Sequence, residues 1–226
     1  MRPGDIAALW LTLRLASTTA LLLLIMGTPL AWWLASTRSR LRPLVEAVVA
    51  MPLVLPPTVL GFYLLVLLAP GGPIGRLWAS VGGGPLVFSF GGLVIGSLLY
   101  SFPFVVQPLA SSFEAIDPLA LEGAATLGAG PVDRFFTVAV PLARKGFLTA
   151  LTLSFAHTLG EFGVVLMIGG NIPGRTRVLS IAIYDHVEAL DYASAHLLSA
   201  ILLVVSFVLL VAVAALGRRT TRLRLP

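Results

Sequence analysis

The chain has 226 residues, of which 58% are hydrophobic and only 11% are charged, and its formal net charge is +5. Soluble domains carry a charge on roughly a quarter of their residues, so this composition is typical of a membrane protein. The sequence contains no cysteine, which excludes disulfides, thiolate metal sites and cysteine nucleophiles.

Five apolar segments are long enough to cross a bilayer, which takes about 20 residues as a helix. Their apolar runs are continuous, which favours helices over a β-barrel. The first run is too long for a signal peptide and has no clean cleavage site, so we predict a retained span. We predict an all-α polytopic bundle in a single domain, residues 1–226, with spans near residues 9–36, 47–69, 86–108, 146–169 and 197–216.

The basic residues predict the orientation of the bundle. Because cytoplasmic loops are enriched in Lys and Arg, the N-terminus is predicted outside and the C-terminus inside. Ten of the fifteen basic residues fall in regions that five crossings place on that inner side: Arg38, Arg40, Arg42, Arg134, Arg144, Lys145, Arg218, Arg219, Arg222 and Arg224. The Arg-rich C-terminus is interpreted as a topology anchor near anionic lipid rather than a nucleic-acid site.

The two outer connections differ in character. Residues 70–85 are rich in glycine and proline and are predicted to be irregular. Residues 176–193 contain apolar residues at helical spacing, which predicts a surface helix there. The spaced residues are Ile181, Tyr184, Val187 and Leu190.

The longest predicted cytoplasmic segment, residues 109–145, contains a short helix of small residues. Asp117 occupies the cap position, Pro118 the first turn, and Gly128 the left-handed position that ends a helix. Gly123 and its alanine neighbours remove bulk from one face. Such a face allows close approach, either by this protein's own bundle or by a partner.

The spacing in this segment carries a family resemblance. The chain reads Glu122-Gly123-Ala124, three residues, Gly128, nine residues, and then Val-x-Val-Pro ending at Pro141. This resembles the cytoplasmic signature loop of binding-protein-dependent ABC importer permeases, which runs Glu-Ala-Ala, three residues, Gly, nine residues, Ile-x-Leu-Pro. The departures exchange small or aliphatic residues for others of the same character.

The resemblance implies that Glu122, Gly123, Ala124 and Gly128 form a coupling helix that docks on an ATPase subunit. It also implies a second copy of the chain in the pore, two cytoplasmic ATPase subunits, an external oxyanion-binding protein, and residence in the bacterial plasma (inner) membrane. The chain has no Gly-x-x-x-x-Gly-Lys-Ser/Thr sequence, so we predict no cofactor and no enzyme activity in it. ATP and Mg²⁺ would be bound by the partner subunit.

Three further segments resemble molybdate permeases in particular. They are residues 51–57, Gly160-Glu161-Phe162-Gly163 and residues 171–177. Permeases for sulfate and tungstate are similar, and the sequence leaves the choice among the three anions open.

Polar and helix-breaking residues inside the spans are candidates for the translocation path or gate. Pro52, Pro56 and Pro57 break the predicted second span next to Thr58. The same prolines are compatible with a bend that serves packing alone.

Glu161 is a carboxyl deep in an apolar run, and such groups are either functional or tie helices together. His157 precedes it by four residues and is predicted on the same helical face. Two ligands are too few for a metal, so no metal site is predicted. An intramembrane enzyme using this pair, or a scaffold that docks a cytoplasmic partner, remains as an alternative from another functional class.

Overall fold

The computed structural model describes residues 2–222, with side chains for residues 2–212 and 215. The basic residues of the C-terminus, on which the predicted orientation partly rests, therefore lie outside the described side chains. Every regular element in the described backbone is helical: α1 (Pro3–Ser36), α2 (Arg42–Val54), α3 (Pro57–Leu68), α4 (Pro73–Ser80), α5 (Phe90–Ser101), α6 (Pro103–Glu114), α7 (Pro118–Thr126), α8 (Pro131–Arg134), a π-helical segment (Phe135–Ala139), α9 (Val140–Leu142), α10 (Arg144–Gly160), α11 (Gly163–Gly169), α12 (Leu179–Glu188) and α13 (Tyr192–Arg222).

The described helices are sufficient for up to five membrane crossings. Three stretches are long and apolar enough on their own, namely α1, Pro57–Ser80 and Tyr192–Ala212. Two bent pairs qualify if each counts as one span: α5 with α6, bent by 43°, and Pro131–Leu142 with α10, bent by 72°. The predicted class, an all-α polytopic membrane bundle, is confirmed, and the described helices are compatible with the five predicted crossings.

Two details of the predicted helices need correction. Residues 70–85 are not wholly irregular, because Pro73 starts α4 in the favourable first-turn position. The segment 146–169, predicted as one helix, is broken: α10 ends at Gly160 and α11 begins at Gly163. The helix predicted within residues 176–193 is confirmed as α12, but of its four spaced apolar residues only Ile181 is buried.

The core of the bundle forms around α1, which packs against α5, α6, α10 and α12. Small residues let these helices approach closely: a Cβ added to Gly27 would lie 2.9 Å from Val105 Cγ1 on α6. The main apolar cluster is built from Leu23, Leu34, Leu109 and Phe113 with their neighbours. α1 therefore lies in the middle of this core and packs against four other helices.

Candidate functional sites

The exposed loop around α7 is the first candidate site. The Asp117 carboxylate accepts a hydrogen bond from the Leu119 N–H at 2.9 Å, and Pro118 stands in the first turn. At the other end, the N–H of Gly128 donates to the Ala125 carbonyl and that of Ala129 to the Ala124 carbonyl, both at 3.0 Å. Gly128 has φ +90°, so the helix ends in a Schellman motif. The predicted cap, first turn and left-handed terminus are confirmed.

The small-residue face of α7 does not pack against the bundle. No residue of α7 is buried, and a Cβ added to Gly123 or Gly128 would meet no atom within 4 Å. Glu122 is exposed and Ala124 is half-buried. The interpretation that this face serves contacts within the bundle is therefore wrong for the described part of the chain.

Four large apolar side chains on α7 and the segments that follow it are exposed; we call them the apolar rim, and sequence reasoning missed them. The rim consists of Leu119, Leu127, Val132 and Phe136, which are 71%, 90%, 70% and 63% exposed. Large apolar side chains that cluster on a loop mark an interaction surface. The sequence signal that would have indicated it is a leucine, Leu127, directly before the helix-ending Gly128.

Phe135 connects the α7 loop to the bundle. Its ring centroid lies 5.3 Å from that of Trp32 on α1 and 6.0 Å from that of Phe113 on α6. Phe113 in turn contacts Phe147 on α10, with centroids 6.0 Å apart. Aromatic contacts of this kind are rigid packing elements. The Phe135 ring therefore contacts α1 and α6 directly and is connected to α10 through Phe113.

The second candidate site is a cavity of about 540 Å³ where two helix breaks meet. One break separates α2 from α3 at Leu55 and Pro56, and the other separates α10 from α11 at Glu161 and Phe162. The lining residues come from α3, α5, the end of α10, the second break and the first residue of α11: Pro57, Thr58, Tyr100, Ala156, His157, Gly160, Glu161, Phe162 and Gly163.

The structure brings together three of the five predicted path residues. Pro57, Thr58 and Glu161 line the cavity, whereas Pro52 lies inside α2 and Pro56 is the cap residue of α3. The two breaks touch: a Cβ added to Gly163 would lie 2.8 Å from the Cβ of Pro57. Glycine at position 163 is what permits this contact.

Glu161 is the unusual group of this cavity. The residue is 4% exposed, and neither carboxyl oxygen has a hydrogen-bond partner among the described residues. The Ser97 hydroxyl stands beside this carboxyl as a nearby donor, but no hydrogen bond of standard geometry joins the two groups. Its backbone is held, since its carbonyl accepts a hydrogen bond from the Ser180 hydroxyl at 2.5 Å. Buried polar groups are usually paired, so this exception indicates a role.

His157 is held in place by a polar chain and two rings. Its Nδ1 lies 2.9 Å from the Ser101 hydroxyl, which is 3.1 Å from that of Thr158. Its ring stacks on Phe104 with centroids 4.1 Å apart and tilts against Tyr100 at 4.8 Å. His157 and Glu161 do not share a helical face as predicted, because the helix ends between them, but both line the cavity.

Comparison with known proteins identifies the fold and the family. The family model described as "Binding-protein-dependent transport system inner membrane component" matches residues 27–222. The chain is 63% identical to the molybdenum transport system permease protein ModB of Azotobacter vinelandii, over 92% of each chain. It is 33% identical to the sulfate transport system permease protein CysT of Synechocystis sp., over 86% of this chain and 69% of that one.

A solved structure shares this architecture. A bacterial ABC transporter involved in the import of the acidic polysaccharide alginate matches 97% of this chain and 80% of its own, with TM-score 0.79 and 18% identity. At that identity the likeness concerns the fold alone. The family match and the 63% identical relative go further. The chain belongs to the binding-protein-dependent transport system inner membrane components: it is the membrane permease subunit of an ABC importer and is not itself the ATPase.

Proposed function

We propose that this protein is the permease of an ATP-driven molybdate importer. Two copies form the pore, two cytoplasmic ATPase subunits bind ATP and Mg²⁺, and an external oxyanion-binding protein delivers the anion. The observation that carries the choice of anion is the 63% identity to a molybdenum permease, against 33% to a sulfate permease. Tungstate, a tetrahedral dianion of similar chemistry, is the alternative cargo.

The coupling site is assigned to Glu122, Gly123, Ala124 and Gly128 on α7. Their exposure and the empty space above both glycines support close docking against another surface. The apolar rim from Leu119 to Phe136 adds buried area to that contact. The ATPase subunit is the partner that this surface fits.

Movement passes from the docked loop into the membrane through Phe135. ATP-driven closure of the ATPase pair displaces α7 and α8, and the π-helical segment transmits this displacement to Trp32 and Phe113. Because α1 packs against α5, α6, α10 and α12, its displacement shifts these helices as well. The interhelical contacts then favour one of two discrete arrangements of the bundle.

The translocation path is assigned to the broken-helix region. Pro57, Thr58 and Glu161 line it, while Pro52 and Pro56 shape the end of α2. Interrupted helices in transporters expose backbone groups to a polar route. The proposed orientation places α7 in the cytoplasm and α12 outside, with the lipid bilayer around the single domain and no nucleic acid involved.

Reconstitution tests the proposal. The chain, its ATPase subunit and its binding protein are placed in liposomes with ATP inside, and uptake of labelled molybdate is measured with tungstate or sulfate as competitor. ATP-dependent uptake that sulfate does not suppress supports the proposal. Binding of the ATPase without any anion uptake would favour the scaffold alternative, and turnover of a substrate without ATPase would favour an enzyme.

A further inference from the structure

We infer that the cavity at the two helix breaks is a transient oxyanion subsite, in which Glu161 acts as a neutral hydrogen-bond donor beside the N-terminus of α3. The ligand class is a tetrahedral oxyanion dianion. This inference rests on the proposed function, since it assigns to named atoms the passage of the anion that the importer carries.

The protonation of Glu161 follows from its surroundings. An ionised carboxylate with no hydrogen bond and no neighbouring cation is costly at membrane depth, and the group avoids this cost by keeping its proton. None of the residues that line the cavity is a lysine or an arginine. The titratable groups that face Glu161 there are Tyr100 and His157. A carboxylic acid in an apolar site is a strong hydrogen-bond donor, whereas a carboxylate would repel the anion.

The start of α3 supplies the second set of donors. Pro57 has no N–H, and the N–H groups of Val59 and Leu60 both donate to the Pro56 carbonyl. The Thr58 N–H is therefore the donor left over in this first turn, next to the Thr58 hydroxyl. α3 has 12 residues, and its positive dipole end lies at the cavity that holds Glu161.

The hydrogen bonds of His157 fix its tautomer. The Thr158 hydroxyl donates to the Ser154 carbonyl at 2.8 Å, so in the bond between Thr158 and Ser101 it is the Ser101 hydroxyl that donates. His157 Nδ1 must then donate to Ser101, which leaves Nε2 as an acceptor while the ring is neutral. The neutral ring therefore offers the anion no N–H at Nε2, and Glu161 and the start of α3 are the donors that remain.

These donors suit passage rather than storage of the anion. Neutral hydrogen bonds and one helix terminus bind a dianion weakly compared with arginine or lysine. A cavity of about 540 Å³ also leaves room for water around the ion. Weak binding lets the anion leave towards the cytoplasm, while selectivity stays with the external binding protein.

A protection experiment tests the subsite directly. The chain has no cysteine, so Ala156→Cys places a single thiol on the cavity wall without removing a donor. The complete importer is labelled with a water-soluble maleimide in the presence of molybdate, tungstate or sulfate, with chloride at matched ionic strength as control. We expect each oxyanion to slow labelling by up to about threefold at a concentration near twice its dissociation constant, since about a third of the sites then remain free.

Substitutions at Glu161 separate the donor role from an ionised role. Glu161→Gln keeps the shape and a donor, so the protection remains and no longer weakens at high pH. Glu161→Leu removes the donor and abolishes protection, Thr58→Val reduces it, and Glu188→Gln on exposed α12 leaves it unchanged. Equal loss in Glu161→Gln and Glu161→Leu overturns the inference, because the carboxylate would then be required.

The outcomes also separate this inference from the proposed function. If the unaltered complex imports molybdate but no oxyanion protects the thiol of the Ala156→Cys complex, the subsite is wrong and the importer assignment is unaffected. Protection of the thiol without molybdate import supports an anion site and contradicts the proposed importer function. Co-purification of the ATPase verifies assembly of each variant, and if Glu161→Leu fails to assemble, Glu161→Gln and its pH response still decide.

Discussion

The carboxylate of Asp5 lies 2.9 Å from Nε2 of His186, which is 181 residues further along the chain. Both side chains are 5% exposed. The Asp5 carboxylate also accepts a hydrogen bond from the Arg2 backbone N–H, and Asp191 stands 3.5 Å from His186 Nδ1. This contact ties the first turn of α1 to α12, so the helix that organises the core is fixed at the end opposite α7.

We expect Asp5→Ala to destabilise the protein by about 3 kcal/mol, because removal of one partner leaves the other polar group buried and unpaired. Arg2→Ala is the matched control. Its ion pair with Asp191 involves a side chain that is 68% exposed, and such pairs contribute about 1 kcal/mol or less. Unfolding of the purified variants in detergent measures both. Equal losses of unfolding free energy in the two variants would mean that the buried Asp5–His186 pair stabilises the protein no more than the exposed ion pair does.

Gly123→Leu tests docking without disturbing the backbone of α7. Leucine favours the helix more than glycine does by about 0.5–1 kcal/mol, so α7 persists. The added side chain projects into open space on the proposed docking face. We expect normal membrane insertion and at least about a tenfold weaker association with the ATPase. Co-purification and titration of the ATPase provide the measurement.

Gly128→Leu adds a leucine side chain to the docking face, as Gly123→Leu does, and also strains the backbone. At φ +90° an L side chain costs about 1–2 kcal/mol, so the Schellman end of α7 loosens. Gly130→Ala is the control, since Gly130 has φ −70° and open space around it. An importer in which Gly128→Leu couples ATP hydrolysis to uptake as well as the control does would contradict the assignment of this residue.

Phe135→Ala is expected to separate docking from transmission. The ATPase still binds, because the rim is intact, but uptake per ATP hydrolysed falls severalfold since contact with Trp32 and Phe113 is lost. The neighbouring Phe136→Ala has the opposite effect. That ring is 63% exposed and belongs to the rim, so its loss weakens ATPase binding. Identical phenotypes for the two variants would argue against Phe135 as the connection.

Thiol labelling from one side of the membrane tests the orientation. Leu127→Cys at the α7 end should react only with reagent supplied to the cytoplasmic face, and Glu188→Cys on α12 only from outside. Both side chains are exposed, so access is not limited by packing. The reverse pattern would place the coupling helix outside the cell and contradict the proposed function as well.

Thr58→Cys reports on the path. A residue that lines the translocation route should react with water-soluble reagent in at least one nucleotide state, and its reactivity should differ between the ATP-bound and nucleotide-free complexes. Val66→Cys, also exposed on α3 but outside the cavity lining, is the control. Persistent protection of Thr58→Cys in all states would remove it from the path.

Local signals carried most of what the sequence predicted. Asp117, Pro118 and Gly128 specify a start and an end through chemistry within a few residues, and the structure has both. The break at Glu161 was missed although glycines flank it, because the apolar run of residues 146–169 outweighed that signal. Contacts such as Asp5 with His186 or Phe135 with Trp32 join distant segments, and no local pattern in one sequence specifies them.

The contact between Gly163 and Pro57 has a consequence for how the transporter opens. A second tight contact, between Gly61 and Met167, lies further along the same pair of helices. With two such contacts α3 and α11 have little freedom to slide past each other, so they shift as one rigid body. The pivots of that body are then the non-helical residues at 55–56 and 161–162, which also border the proposed route of the ion. On that proposal, an ion in transit would sit against these hinges, and its binding and the hinge angle would influence each other.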